Sequence, residues 1–186
     1  FLGYKKEIDE LAKKRLVVVR QKRNSSLGYR VSQSVVKAIQ DNTVIEPESL
    51  EGLSTRTIFN RLHNIFADIA NGVSSSQIGL QEICDIMNSN HENRFVEAAL
   101  KLGINNLGSS EETMMMFYML HRIISFNDNE FTIDELSRLF DDPLGLNDVI
   151  FDAMRKGEST LQEKGLVEHP CEDGLENREV YQIPRR

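Results

Sequence analysis

From Met114 the chain reads Met-Met-Met-Phe-Tyr-Met-Leu, and after His121-Arg122 it adds Ile123-Ile124, so a helix here is apolar nearly all round. Such a helix is buried on most sides, and several other elements must pack around it. Ser109 and Glu112 have the S-x-x-E spacing of a capping box, which sets a helix over 110–125. Met114, Met115, Met116 and Met119 can fill a core or line an adaptable groove. Packing is the commoner use and the one expected. His121, beside this core, is expected to be a hydrogen-bonded interior side chain, because no Cys or second His stands at metal-ligand spacing from it.

The flanking sequence supplies amphipathic helices to surround it. Ser54 can cap a helix over 54–71 in which Ile58, Leu62, Ile65, Phe66 and Ile69 form one face, with Gly72 as its stop. Ser74-Ser75-Ser76 opens a helix over 76–88 with Ile83, Ile86 and Met87 inward. A third runs over 92–102 on Phe95, Val96, Ala99 and Leu100, and Gly103 ends it. Thr132 and Glu135 repeat the capping-box spacing and open a helix over 132–140, which Asp141-Asp142-Pro143 ends. After a turn through Gly145 comes a helix over 147–164, with Val149, Ile150, Met154 and Leu161 inward. Leu166–His169 and Val180–Ile183 then read as the strands of a hairpin over 166–183. Helix, turn, helix and hairpin in that order predict a winged helix. The expected fold is mainly α: a helical bundle followed by a C-terminal winged-helix unit with a short β-hairpin. The expected division is a basic segment over 1–40, a helical subdomain over 41–125 and a winged-helix-like subdomain over 126–186. Within the first forty residues, Ile8, Leu11 and Ala12 suit a short helix and Leu16–Val19 a strand. Asn24–Gly28 suits a turn, and Val31, Val35, Val36 and Ile39 suit a helix.

Charge divides along the chain. Residues 1–40 carry ten Lys/Arg and three Asp/Glu, a net of +7, while residues 41–186 carry twelve and twenty-six, a net of -14. An acidic body opposes contact with phosphate backbones. The 147–164 helix would present Asp148, Asp152, Glu158 and Glu163 against Arg155, Lys156 and Lys164. The wing adds Glu168, Glu172, Asp173, Glu176 and Glu179 against Arg178. A major-groove reader normally neutralises several phosphates. This surface therefore reads as one that holds a protein partner, with Asp148, Asp152, Glu158, Glu168 and Glu172 as the candidate contacts. The alternative is a DNA-binding transcriptional regulator, in which Lys13, Lys14, Arg15, Lys22 and Arg23 would meet nucleic acid beside the winged helix.

Catalytic patterns are missing from the sequence. There is no G-x-x-x-x-G-K-[ST] loop to cradle phosphates and no G-x-G-x-x-G. Ile133-Asp134-Glu135 faintly resembles the acidic end of a metal-binding strand, but its capping-box position points to helix initiation. Asp141-Asp142 beside a proline reads as a solvated helix end, and His63, His91 and His169 stand alone. No nucleophile, base and orienter come together in the sequence, so no enzyme activity, cofactor or metal is expected on this chain. With 40% hydrophobic and 27% charged residues the composition is globular. No apolar run reaches the ~20 residues of a membrane span. Cys84 and Cys171 suit reduced thiols of a cytoplasmic protein. A start without Met and an end on Pro184-Arg185-Arg186 read as the limits of a piece of a longer protein.

Four stretches carry a resemblance: Phe95–Gly103 (FVEAALKLG), Tyr118–Arg122 (YMLHR), Leu139–Pro143 (LFDDP) and Lys156–Glu168 (KGESTLQEKGLVE). Over residues 54–183 the chain resembles the helical and winged-helix region that precedes the ATPase module in bacterial AAA-type ATPases. The resemblance implies an accessory domain that binds substrate proteins or partners and couples them to an attached ATP-driven module. ATP and Mg would then belong to that module, and none of its nucleotide-binding residues has a counterpart here.

Overall fold

A computed structural model describes residues 4, 7–8, 10–11, 16–21, 27–31, 33–44, 49–140, 147–172, 175–177 and 179–184. Over these residues the chain is mainly helical, with short antiparallel strand pairs. Near the N-terminus, β1 (Val17–Gln21) and β2 (Leu27–Val31) form a hairpin with Val19 opposite Tyr29, and α1 (Gln33–Gln40) follows. Val31, expected in the helix, belongs to β2 and pairs with Val17. Gly28, expected in the turn, lies opposite Arg20. Lys13, Lys14, Arg15, Lys22 and Arg23 lie outside the described residues, as do Asp141, Asp142 and Pro143.

The body is built on α2 (Thr55–Ala70), α3 (Ser76–Ser89), α4 (Arg94–Lys101) and α5 (Ser110–Phe126), with a 3-10 turn at Ile104–Asn106. Each of these helices starts on a side-chain cap: Ser54, Ser75, Asn93 and Ser109 accept from Thr57, Ile78, Phe95 and Glu112 amides. Such caps satisfy amides that have no partner within the helix. The central helix α5 packs against α2 and α3, and Met114–Phe117 and Met119 are all buried. These methionines therefore belong to the core. Gly79 lets α3 lie close on α2: a Cβ there would sit 2.7 Å from Ile69 Cδ1 and 3.0 Å from Ile65 Cγ2.

Two asparagines tie the preceding loop to this bundle. Asn90, buried at the end of α3, accepts from the Leu53 amide at 2.7 Å and donates to the Leu50 and Ile86 carbonyls at 2.6 and 2.8 Å. Asn93 donates to the Leu53 carbonyl at 3.0 Å while capping α4. A buried backbone group must find a partner, and here side chains forty residues downstream supply it.

The C-terminal part begins with β3 (Phe131–Thr132) and α6 (Ile133–Ser137). One turn of π-helix at Asn147–Phe151 leads into α7 (Asp152–Lys156), and α8 (Thr160–Glu163) follows. β4 (Cys171–Glu172), β5 (Leu175–Glu176) and β6 (Val180–Tyr181) complete the described elements. β6 pairs antiparallel with β3, Phe131 opposite Tyr181, and on its far side Gln182 bridges Glu168. β4 and β5 pair with each other beyond that bridge. Asn129 prolongs the β3–β6 pairing by exchanging two hydrogen bonds with the backbone of Ile183, at 3.1 and 3.2 Å.

The single helix expected over 147–164 is three pieces. Gly157 takes φ +78°, a left-handed conformation that closes α7, and Ser159 caps α8 afresh. The π turn shifts the apolar face by about a residue. Val149, expected inward, is 72% exposed, and Phe151 is buried in its place with Met154 and Leu161.

Candidate partner-binding site

Of the five acidic residues singled out from the sequence, three have described side chains: Asp152, Glu158 and Glu168. Those of Asp148 and Glu172 lie outside what the structure describes. Asp152 opens α7 and takes a 2.6 Å hydrogen bond from Lys156 Nζ one turn later. That hydrogen bond, and then the charge of Lys156, hold the Asp152 carboxyl below its ordinary range. Glu158 is exposed just beyond Gly157, and its charge also acts on Lys156. Arg155 lies 3.5 Å from the Glu179 carboxylate and so ties α7 to the approach of β6. Asp152, Lys156 and Glu158 thus share one surface, with both cations of α7 facing carboxylates. Exposed pairs of this kind contribute little stability, but they spend the positive charge a phosphate would need.

Glu168 lies at the bridge to Gln182. It exchanges backbone hydrogen bonds with Gln182 at 2.9 Å, and its carboxylate accepts from Gln182 Nε2 at 3.1 Å. Next to it, His169 packs against buried Tyr181 with ring centroids 4.6 Å apart and the planes tilted by 43°. His169 Nδ1 lies 3.1 Å from the Val180 carbonyl oxygen, which can only accept, so Nδ1 carries the proton. Nε2 then accepts from Gln162 at 3.2 Å. His169, singled out as standing alone, ties the segment at Glu168 to α8 and β6.

The two capping boxes are each half formed. Ser109 and Thr132 cap their helices, but the paired glutamates reach elsewhere. The buried Glu112 carboxylate accepts from the Thr160 amide at the start of α8, at 2.7 Å. Gly108 lets that contact close, because a Cβ there would meet Thr160 Oγ1 and stand 2.8 Å from Glu112 Oε2. We expect Glu112→Ala to cost about 1–3 kcal/mol, since it strands the partly buried Thr160 amide, and Glu112→Gln to cost less. Urea denaturation of the two variants would measure the difference.

Glu135 is the second bridge. Its Oε1 accepts from Tyr118 Oη at 2.6 Å and from Arg122 Nη1 at 2.5 Å, and Arg122 also pairs with Asp128. Burial, followed by the Glu135 hydrogen bond and charge, pushes the Tyr118 hydroxyl up to about 12. The network lines a cleft of about 440 Å³ between α2, α5 and α6, walled by Phe66 and Leu139 with Arg138 at its edge. A second cleft of about 430 Å³ lies between the starts of α3 and α5 and contains Leu80, Cys84, Met114 and Phe140. Burial, and then Asp85, push the Cys84 thiol up, so it stays protonated near neutral pH.

His121 departs from its expectation. It is 2% exposed, yet neither ring nitrogen has a hydrogen-bond partner among the described residues. Among the described residues, no three His, Cys, Asp or Glu side chains gather as metal ligands, and no helix is long and apolar enough to cross a membrane. Ile133-Asp134-Glu135 begins α6, as its capping-box spacing predicted.

Sequence reasoning missed Asn90, Asn93, Asn129 and the long-range use of Glu112 and Glu135. The glutamates alone carried a signal, and it pointed to a local contact. No protein-family model, curated protein or solved structure matches the chain.

Proposed function

We propose that this chain is a non-catalytic, partner-binding accessory region of an AAA-type ATPase, whose ATP-hydrolysing module lies outside it, and that residues 126–186 are a winged helix. The order β3, α6, α7, α8, the β4–β5 pair and β6 supports the fold reading, with β6 paired to β3 and Gln182 just after it bridged to Glu168. The observation that carries the functional reading is the neutralised α7. In a DNA-reading winged helix this element enters the major groove, where Lys and Arg must meet phosphates. Here Lys156 and Arg155 face Asp152 and Glu179, and Glu158 adds exposed negative charge. A protein surface with Lys or Arg at its centre is the complementary partner.

Nucleotide chemistry belongs, on this reading, to the attached module. Calorimetric titration of the chain with Mg-ATP is expected to give no saturable heat, because the sequence holds no phosphate-cradling loop. A micromolar, Mg-dependent isotherm would overturn the assignment.

A further inference from the structure

His121 occupies the joint between α2 and the last turns of α5. Its ring lies 5.4 Å from that of His63, 5.5 Å from Phe66 and 5.5 Å from Phe126, centroid to centroid. His63 and Phe66 come from α2, and Phe126 closes the box from the end of α5. A neutral imidazole tolerates such a box poorly, since its polar nitrogens lack partners among the described residues. An imidazolium would fare worse: it carries two donors and a charge into an aromatic enclosure. The charged or titratable groups acting on it are both of the wrong sign for a cation, His63 from α2 and Arg122 from α5 itself. No carboxylate acts on the ring among the described residues, and those beside Arg122, Asp128 and Glu135, are engaged by it.

We propose that His121 makes the α2–α5 joint an acid-sensitive latch, shut while the imidazole is neutral and released when it takes a proton. Release would act on more than the aromatic box. Arg122 is the next residue, and it holds α6 to α5 through Glu135. Loosening the last turns of α5 therefore loosens the tie between the bundle and the C-terminal unit. Burial first, then the charges of His63 and Arg122, push His121 down to about 4. An imidazole in the unfolded chain titrates near 6.5. The depressed group leaves stability intact above that value and removes it as pH falls toward about 4.

The experiment is amide hydrogen exchange over Met119–Phe126 at several pH values, corrected for intrinsic rates, in the wild type, His121→Met and His121→Phe. In the wild type we expect protection of this segment to fall about 15-fold between pH 6.5 and 5. Both variants should show a much flatter profile. If only one variant folds, it serves alone. If neither does, NMR titration of the His121 ring in the wild type decides. A ring that titrates at or above 6.5, or an unchanged acid dependence in a folded variant, would overturn the proposal. A ring that titrates well below 6.5 together with a protection loss confined to pH below 6.5 would support it.

Discussion

Replacing Phe131 with alanine is expected to lower stability by about 3–5 kcal/mol, the range for emptying a fully buried aromatic site. Phe131 is completely buried and stands opposite Tyr181, itself completely buried, in the β3–β6 pair. β3 has only two residues, so it offers no neighbouring ladder to absorb the loss. Removing the ring exposes the inner face of Tyr181 to a cavity and weakens the pairing that anchors the chain's last strand. Domains of this size are typically stable by only about 5–15 kcal/mol, so one substitution would remove a large part of the margin. Guanidinium denaturation followed by circular dichroism measures it. Phe131→Leu, which keeps most of the volume, should recover much of the difference. A loss below about 1 kcal/mol would mean that β3 is not part of the cooperative core.

The second large effect is expected at Arg122. Arg122→Met keeps an apolar stem but removes the guanidinium, whose carbon lies 5.7 and 5.8 Å from the ring centroids of Tyr118 and Phe126. It leaves the Glu135 and Asp128 carboxylates, both partly buried, without their guanidinium partner. Removing one partner of a fully buried pair costs about 3–5 kcal/mol, and exposed pairs contribute about 0–1 kcal/mol. With Arg122 less than a third exposed, about 2–3 kcal/mol is the expected loss. Glu135→Gln in the same background should restore part of it, because the uncompensated carboxylate is gone. A double-mutant cycle gives the coupling directly. Additivity within about 0.5 kcal/mol would show that Arg122 and Glu135 do not act as one unit.

Both effects arise where the sequence was hardest to read. The long helices were legible because their apolar residues recur at helical period and their caps are local: Ser54, Ser75 and Ser109 each accept from an amide three residues on. β3 left no such trace, since two residues cannot show alternation. The broken helix over 147–163 was misjudged because Val149 and Ile150 fit an α-helical stripe. A π turn and a left-handed Gly157 instead put Phe151 inside. The capping boxes show a different limit. Glu112 and Glu135 have the spacing for a local bond, yet each gives its carboxylate to a residue distant in sequence, Thr160 and Tyr118. Spacing alone cannot reveal that competition. For the candidate site, the excess of acidic residues was legible from composition. The pairing of Arg155 with Glu179 was not, because it joins residues brought together only by the sheet.

The proposed partner-binding role depends on α7 offering a duplex no positive surface. The most direct measurement is fluorescence anisotropy with random-sequence duplex DNA at low salt, using the wild type and the triple reversal Asp152→Lys, Glu158→Lys and Glu168→Lys. The account predicts that the wild type either fails to bind or loses its binding when Lys13, Lys14, Arg15, Lys22 and Arg23 are neutralised. It also predicts that the reversal gains salt-sensitive affinity. Tight duplex binding by the wild type that survives neutralising those five residues would contradict it.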